Sequence, residues 1–327
     1  MPVSKVPLRC FCKYFKNFAF FEFSSHTFLL NKKIRRIISN MKKAKEFGYE
    51  AMISEINLIM EKYSFVSVTG LCDSILGRTI PIISIGEGKT NVFYIGGEIA
   101  SDALTPFLLM KFVRDISSLY SERASVFGFP VEYILKNYKF TVLPMLNPDG
   151  REYCIYGVDN ANPIKDRLIA MNNGESDFKS WRGNARGVLL SCNYGVEETE
   201  YELEQEVGSL CNYLKYGLTP DMMFVFSGSI EQKDQIYYAD GEVENKSAIA
   251  LSQMSSIKRS FRKTEKPELL LADWAIANLN CRAFSIELEI PGRSGSIKNG
   301  MTEDFYFTKY AALRKLLFCS PLLSKIH

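Results

Sequence analysis

Short apolar runs alternate with longer amphipathic stretches along most of the chain. The apolar runs are rich in β-branched and aromatic residues, which predicts strands over 65–69, 79–85, 92–95, 138–146, 222–226 and 283–288. Apolar residues at helical spacing predict helices over 49–63, 103–120, 197–216, 247–261 and 302–318. Strands that alternate with helices in this way are typical of a single α/β domain with a mixed central β-sheet flanked by helices.

Four other segments are assigned from their composition. Residues 147–150, read as Asn-Pro-Asp-Gly, are strong turn formers and predict a turn. Residues 157–186 are polar and rich in Asn and Gly, which predicts a long surface loop. We expect residues 235–239 to pair with a neighbouring strand. The six glutamates between Glu197 and Glu206 predict a solvated helix face.

Residues 1–40 differ from the rest of the chain, because a phenylalanine-rich segment is interrupted there by Lys16 and Glu22. A signal peptide has an uninterrupted apolar core and a small-residue cleavage site, and this segment has neither. We therefore expect an atypical, poorly ordered extension before a domain over 41–327, with Met41 as an alternative natural start. A partner-binding segment and a targeting signal are the two other interpretations.

The overall composition is that of an ordinary soluble domain, with 46% hydrophobic and 24% charged residues in 327. The net charge of +3 is too small to indicate nucleic-acid binding. No apolar run approaches the roughly 20 residues that a membrane-spanning helix needs. The eight cysteines include no CxxC pair, which favours free thiols and a cytoplasmic location over disulfides. The oligomeric state is left open.

Histidine is the scarcest residue with catalytic potential. Only His26 and His327 occur, one in the atypical N-terminal segment and one at the last position. Any mechanism that needs a histidine in the middle of the domain is therefore excluded.

The segment 91–102 contains the first cluster of candidate functional residues. An apolar strand is followed by Gly96 and Gly97, then by Glu98 and Asp102 ahead of a helical pattern. Paired glycines indicate a sharp turn or a close approach of the backbone to another group. Enzymes of the α/β class place their chemistry at such strand ends.

Five motifs occur in the order in which a known family has them. They are Ser74-Ile75-Leu76-Gly77-Arg78-Thr79-Ile80, Ile95-Gly96-Gly97, Pro144-Met145-Leu146-Asn147-Pro148-Asp149-Gly150, Trp181-Arg182-Gly183-Asn184-Ala185-Arg186-Gly187-Val188 and Phe284-Ser285-Ile286-Glu287-Leu288. Together they resemble the zinc carboxypeptidase family. Asp273-Trp274 resembles its bacterial branch of γ-D-glutamyl-diaminopimelate peptidases.

The resemblance implies a zinc ion held by three side chains and a water molecule. The family's ligand positions fall on Ile99, Asp102 and Phe226 in this chain. Both ligand histidines are thus replaced by hydrocarbon side chains, and only Asp102 keeps a carboxylate. On this basis we expect no cofactor, with Asp102 as a relic ligand position and Glu98 as incidental.

The resemblance also assigns the remaining catalytic positions. Glu287 matches the general base and Arg182 the arginine that stabilises the oxyanion, and both are expected to be relics. An aspartate that would orient a ligand histidine is replaced by Leu189. The pair that grips a substrate carboxylate is replaced by Ser191 and Cys192.

Two functional hypotheses follow. The first is a catalytically inactive peptidase homologue that retains a cleft for a peptide or a peptidoglycan stem fragment. The alternative is an active metallocarboxypeptidase or endopeptidase whose metal site is rebuilt from Glu98, Asp102 and Glu287, with oxygen ligands that suit Mg²⁺, Ca²⁺ or Mn²⁺. Cys154 and Cys192 lack a histidine base and are expected to be structural thiols.

Overall fold

The apolar runs of the sequence form the centre of one β-sheet. The structure is a computed structural model that describes residues 47–159, 162–195, 203–229, 233–261, 270–290 and 303–326. All of them belong to the compact unit Lys43–His327. The prediction for residues 1–40 lies outside the described residues.

The described elements alternate along the chain as the sequence predicts. The helices are α1 (Tyr49–Lys62), α2 (Leu104–Ser121), α3 (Val131–Asn137), α4 (Pro148–Tyr156), α5 (Lys165–Met171), α6 (Gln205–Asn212), α7 (Glu242–Ser255), α8 (Leu271–Leu279) and α9 (Glu303–Cys319). The strands are β1 (Val66–Asp73), β2 (Thr79–Ile85), β3 (Thr90–Ile95), β4 (Ser125–Val126), β5 (Phe129–Pro130), β6 (Tyr138–Leu143), β7 (Met222–Ser229), β8 (Gln235–Tyr238), β9 (Lys258–Phe261) and β10 (Arg282–Glu289). None of the described helices is long and apolar enough to cross a membrane.

Eight strands form one mixed sheet in the order β1-β2-β6-β3-β7-β10-β8-β9. The central strands β6, β3, β7 and β10 run parallel to one another. The hairpin β1–β2 pairs antiparallel with β6, and β8 pairs antiparallel with β10 and parallel with β9. The predicted mixed α/β sheet is confirmed. Since parallel strands end at the same edge, the carboxyl ends of β3, β6, β7 and β10 lie at one edge of the sheet.

The core explains why the central strands are apolar on both faces. One face carries Phe93, Ile95 and Val225, which pack against α6 and α8 side chains. The other carries aromatic rings, and Tyr94 contacts Phe224 at 5.5 Å between ring centroids. The buried Tyr94 hydroxyl donates to the carbonyl of Leu317 at 2.7 Å, which ties β3 to the end of α9.

The Asn-Pro-Asp-Gly segment begins a helix, so the prediction of a simple turn is wrong. The Asn147 side chain accepts a hydrogen bond from the Gly150 N–H at 3.0 Å, and Pro148 is the first residue of α4. Asparagine before proline is also a helix-start signal, because asparagine caps free N–H groups and proline has none to leave unpaired.

Two other segments differ from their predictions. Residues 157–186 contain α5, whose Leu168 packs with Phe178 and Trp181 in a small separate core. The predicted helix over 247–261 ends at Ser255, and the next residue, Ser256, has a left-handed φ of 61°. The following residues form β9 beside β8. Pairing with an available strand edge outweighs helical spacing there.

The predicted solvated glutamate face is also wrong for the residues the structure describes. Glu204 and Glu206 are both buried. The Glu204 carboxylate accepts hydrogen bonds from Asn184 at 2.7 Å and from Arg186 at 2.8 Å. Its own N–H donates to the Asn193 side chain at 2.8 Å. The segment before α6 is therefore attached to the Trp181–Val188 motif.

Asp149 joins two of the sequence motifs. It is fully buried and accepts from the Ser74 hydroxyl at 2.8 Å, the Leu76 N–H at 2.9 Å and the Arg78 guanidinium at 2.6 Å. The β1–β2 turn is thus fastened to the first turn of α4. The two motifs occur together because each supplies one half of this contact.

We expect Asp149→Ala to lower the free energy of unfolding by about 3–5 kcal/mol, because it leaves a cation and two donors without their acceptor. Asp177→Ala is the matched control, since Asp177 and its partner Lys179 are both exposed. An exposed pair contributes less than about 1 kcal/mol. Urea unfolding of both variants measures the difference. Equal effects would contradict this account of Asp149.

Candidate functional site

The candidate site lies at the edge of the sheet where β3, β7 and β10 end. The loop 96–102 follows β3, and Gly228 lies near the end of β7. Glu287 on β10 is paired with Ser227 on β7. Gly97 has a φ of +63°, and a Cβ there would lie 2.9 Å from the Cα of Met145. Only glycine fits this turn without displacing the neighbouring backbone.

Asp102 is buried at the start of α2, with 2% of its surface exposed. Its Oδ1 accepts from the N–H groups of Leu104 at 2.9 Å and Thr105 at 3.0 Å. Its Oδ2 accepts from the Thr105 hydroxyl at 2.6 Å and the Gly228 N–H at 2.9 Å. All four donors belong to the protein itself.

Thr105 extends this network back to the end of β3. Its hydroxyl oxygen accepts from the Gly97 N–H at 3.0 Å while the hydroxyl proton is donated to Asp102. Burial raises the pKa of the Asp102 carboxyl, and the hydrogen bonds from Thr105, Gly228 and Leu104 oppose that shift. The carboxylate therefore holds together the end of β3, the start of α2 and the end of β7.

Ile99 and Phe226 carry hydrocarbon side chains at this edge. Phe226 is 2% exposed, and its ring meets that of Tyr94 edge-on at 5.9 Å between centroids. It extends the aromatic core to the end of β7. Ile99 is half-buried, and the N–H of the next residue, Ala100, donates to the Arg182 carbonyl at 3.3 Å.

Arg182 and Glu287 both lie at this edge of the sheet, on two different segments of the chain. The Arg182 backbone contacts the loop 96–102, and its side chain is exposed. Glu287 is half-buried, one strand away from the Asp102–Gly228 hydrogen bond. Their shared role as catalytic relics stays a prediction.

These residues do not fit a zinc ion. Two of the three positions, Ile99 and Phe226, offer no donor atom, and both oxygens of the third, Asp102, already accept protein hydrogens. Within the described ranges, no three or more His, Cys, Asp or Glu side chains are arranged to hold a metal ion.

Glu98 has a hydrogen-bond partner that sequence reasoning missed. It is 5% exposed, and its Oε1 accepts a hydrogen bond of 2.5 Å from the Tyr194 hydroxyl, 96 residues away. Burial, and secondarily the nearby Asp102 carboxylate, raise the pKa of Glu98 from an ordinary 4.5 to about 7, although the Tyr194 hydrogen bond lowers it. That Glu98 is incidental to the function stays a prediction. No sequence signal links it to a tyrosine so distant.

Part of the chain is similar in sequence to known proteins. The sequence model of the family described as zinc carboxypeptidase matches residues 52–210. The chain is 27% identical over 160 residues to gamma-D-glutamyl-L-diamino acid endopeptidase 1 of Lysinibacillus sphaericus, which is 49% of this chain and 40% of that protein. The chain covers less than half the length of the curated relatives it matches.

Solved structures extend the similarity beyond residue 210. A metallo-carboxypeptidase from Burkholderia cenocepacia superposes with a TM-score of 0.60 at 15% identity, over 84% of this chain and 68% of that chain. Thrombin activatable fibrinolysis inhibitor superposes with a TM-score of 0.64 at 14% identity, over 85% and 74%. At such identities these structures establish the fold. The chain therefore matches the zinc carboxypeptidase family in sequence over residues 52–210 and has the carboxypeptidase fold over most of its length.

We expect Asp102→Asn to lower the free energy of unfolding by about 2–4 kcal/mol, because an amide nitrogen would face two donors in place of Oδ2. Asp166→Asn, at an exposed position in the first turn of α5, is the matched control and should change stability by less than about 0.5 kcal/mol. Thermal and urea unfolding measure both. An Asp102→Asn variant as stable as the control would refute the structural role of this carboxylate.

Glu98 should make stability pH-dependent. Its pKa is raised in the folded state, so its contribution is fully present below about pH 4.5 and is lost as the pH rises through about 7. A shift of this size corresponds to at most about 3 kcal/mol. Urea unfolding between pH 4.5 and 8 should show this slope in the wild type and a reduced slope in Glu98→Gln. Parallel profiles for the two proteins would contradict the assignment.

Proposed function

We propose that this protein is a zinc carboxypeptidase homologue that works without zinc, has lost hydrolysis, and binds a peptide in the former active-site cleft. The observation that carries the proposal is the state of Asp102. The carboxylate at the family's ligand position accepts four hydrogen bonds from its own protein. Hydrogen bonds from the protein's own groups therefore hold the loop 96–102 in place.

Metal binding at this position would have a high cost. A zinc ion would have to withdraw Asp102 from its donors, and each buried donor left without an acceptor costs about 1–3 kcal/mol. The positions of Ile99 and Phe226 supply no ligand to offset that loss. A zinc ion would gain one carboxylate where the family's chemistry needs three side chains.

Loss of the metal removes the basis for catalysis by Glu287. A general base at that position acts on a water whose pKa the metal lowers. Without that effect, a carboxylate such as Glu287 is far too weak a base to ionise water at neutral pH. Glu287 and Arg182 are then relic positions, and their charges remain as groups that a ligand would meet.

A peptide is the ligand class that these residues favour. The name of the Lysinibacillus sphaericus relative gives its substrate as a γ-D-glutamyl-L-diamino acid linkage. In this chain, Ser191 and Cys192 occupy the positions that grip a terminal carboxylate in the family. Without a cation there, we expect an internal peptide segment, such as a peptidoglycan stem fragment, rather than a free C-terminus.

Two further expectations accompany this proposal. The cysteines of the described segments are free, Cys72, Cys154, Cys192, Cys211, Cys281 and Cys319, which agrees with the reducing environment of the cytoplasm.

The alternative function, an active hydrolase with Glu98, Asp102 and Glu287 as metal ligands, is disfavoured. Glu98 already accepts from Tyr194, and Asp102 accepts from four donors.

The purified protein tests the loss of metal and catalysis. After incubation with zinc and desalting, we expect far less than one zinc per chain by elemental analysis. We also expect no change in melting temperature with a chelator and no hydrolysis of a γ-D-glutamyl-diamino acid peptide. The Lysinibacillus sphaericus endopeptidase is the positive control. Stoichiometric zinc together with hydrolysis abolished by Glu287→Gln would overturn the proposal.

Calorimetry with the same peptide tests the binding half. We expect Arg182→Ala to weaken binding by at least about tenfold, because a charge-assisted hydrogen bond contributes about 1.5–3 kcal/mol. Arg259→Ala is the control, since this exposed arginine is on β9 at the edge of the sheet. Wild-type protein that binds no peptide, or an equal effect of both variants, would contradict a cleft at Arg182.

A further inference from the structure

A buried hydrogen bond connects the loop 96–102 with the segment that carries Ser191 and Cys192. Glu98 lies in the loop 96–102 after β3, and Tyr194 lies two residues after the helical turn Leu190–Cys192. Their side chains meet at 2.5 Å, and both residues are at least 95% buried. A short bond to a carboxylate is among the stronger hydrogen bonds in proteins.

The residues of this turn differ in how far they are exposed to solvent. Leu190 is fully buried in the main core, and Asn193 accepts from the Glu204 N–H at 2.8 Å. Between them, Ser191 is half-buried and Cys192 is exposed. These two residues occupy the positions that grip substrate in the family, so the orientation of the turn decides what the cleft presents there.

We propose that Glu98 is a positioning residue, which acts through Tyr194 to set the orientation of the turn that presents Ser191 and Cys192 to a ligand. The proposal rests on the proposed function for the ligand itself. The position of the turn, however, is a property of the protein alone and is measurable without any peptide.

The surroundings of the pair explain why the hydrogen bond is strong. Tyr194 lies in the main apolar core, and water has little access to its hydroxyl. The titratable groups around the pair are Asp102 on the loop beside Glu98, and Cys192 and Cys211 beside Tyr194. No cation appears among these groups in the described part of the chain, so the tyrosine proton is the main stabilisation that the Glu98 carboxylate receives.

A purely structural role would predict something different. Removing a buried tyrosine hydroxyl anywhere in the core costs about 1–3 kcal/mol of global stability. A positioning role predicts in addition a local change at Cys192. Tyr94→Phe separates the two, because the Tyr94 hydroxyl is equally buried but bonds Leu317 and Ser320 elsewhere in the core.

The experiment measures the rate at which an uncharged maleimide labels Cys192 in the full chain under native conditions, resolved by peptide mass spectrometry. We expect Tyr194→Phe and Glu98→Ala each to raise this rate at least about threefold over wild type, because both break the same bond. Glu98→Gln keeps an acceptor oxygen, so its Cys192 labelling rate should stay within about twofold of the wild-type rate. Tyr94→Phe should leave the Cys192 rate unchanged.

Two results would overturn the proposal. One is a wild-type rate in Tyr194→Phe, and the other is a Tyr94→Phe variant that accelerates Cys192 labelling as much as Tyr194→Phe does. Hydrogen exchange of residues 189–195 gives a second measurement on the same variants, with faster exchange expected only when the bond is broken. Neither assay uses peptide or metal, so a failure of peptide binding leaves this test intact, and a failure here leaves the proposed function standing.

Discussion

The Asp102 carboxylate is the interaction on which the arrangement of this site depends. It collects four hydrogen bonds from the start of α2 and the end of β7, and Thr105 extends them to the end of β3. In a zinc peptidase, a metal ion joins side chains from such strand ends. Here one carboxylate joins them, which explains how the edge of the sheet stays ordered when Ile99 and Phe226 contribute only hydrocarbon.

Two other buried carboxylates act in a similar way on this fold. Asp149 binds the turn between β1 and β2, and Glu204 binds the Trp181–Val188 motif. A buried carboxylate is costly unless donors surround it, so each one specifies the position of the segment that supplies its donors. The family motifs of the sequence are halves of such contacts. In this chain they hold segments of the fold in place.

Much of the fold followed from the sequence because its signals are local or come in ordered sets. Apolar runs marked the central strands, and five motifs in order indicated the family. The failures were also local. Asn147 and Pro148 serve a turn and a helix start equally well. Residues 258–261 carry a helical pattern and only a weak strand signal. They form a strand because they pair with the edge strand β8. Glu204 reads as a surface residue until Asn184 and Arg186 surround it.

The sequence by itself determined that the only histidines are His26 and His327, and that hydrocarbon side chains occupy positions 99 and 226. It also determined the fold class. The tertiary structure alone decided what the remaining acids do. Asp102 finds a donor at Gly228, 126 residues away, and Glu98 finds Tyr194 at a separation of 96. Hydrogen-bond partners so far apart are chosen by the packing of the sheet, and no periodicity or local motif records them.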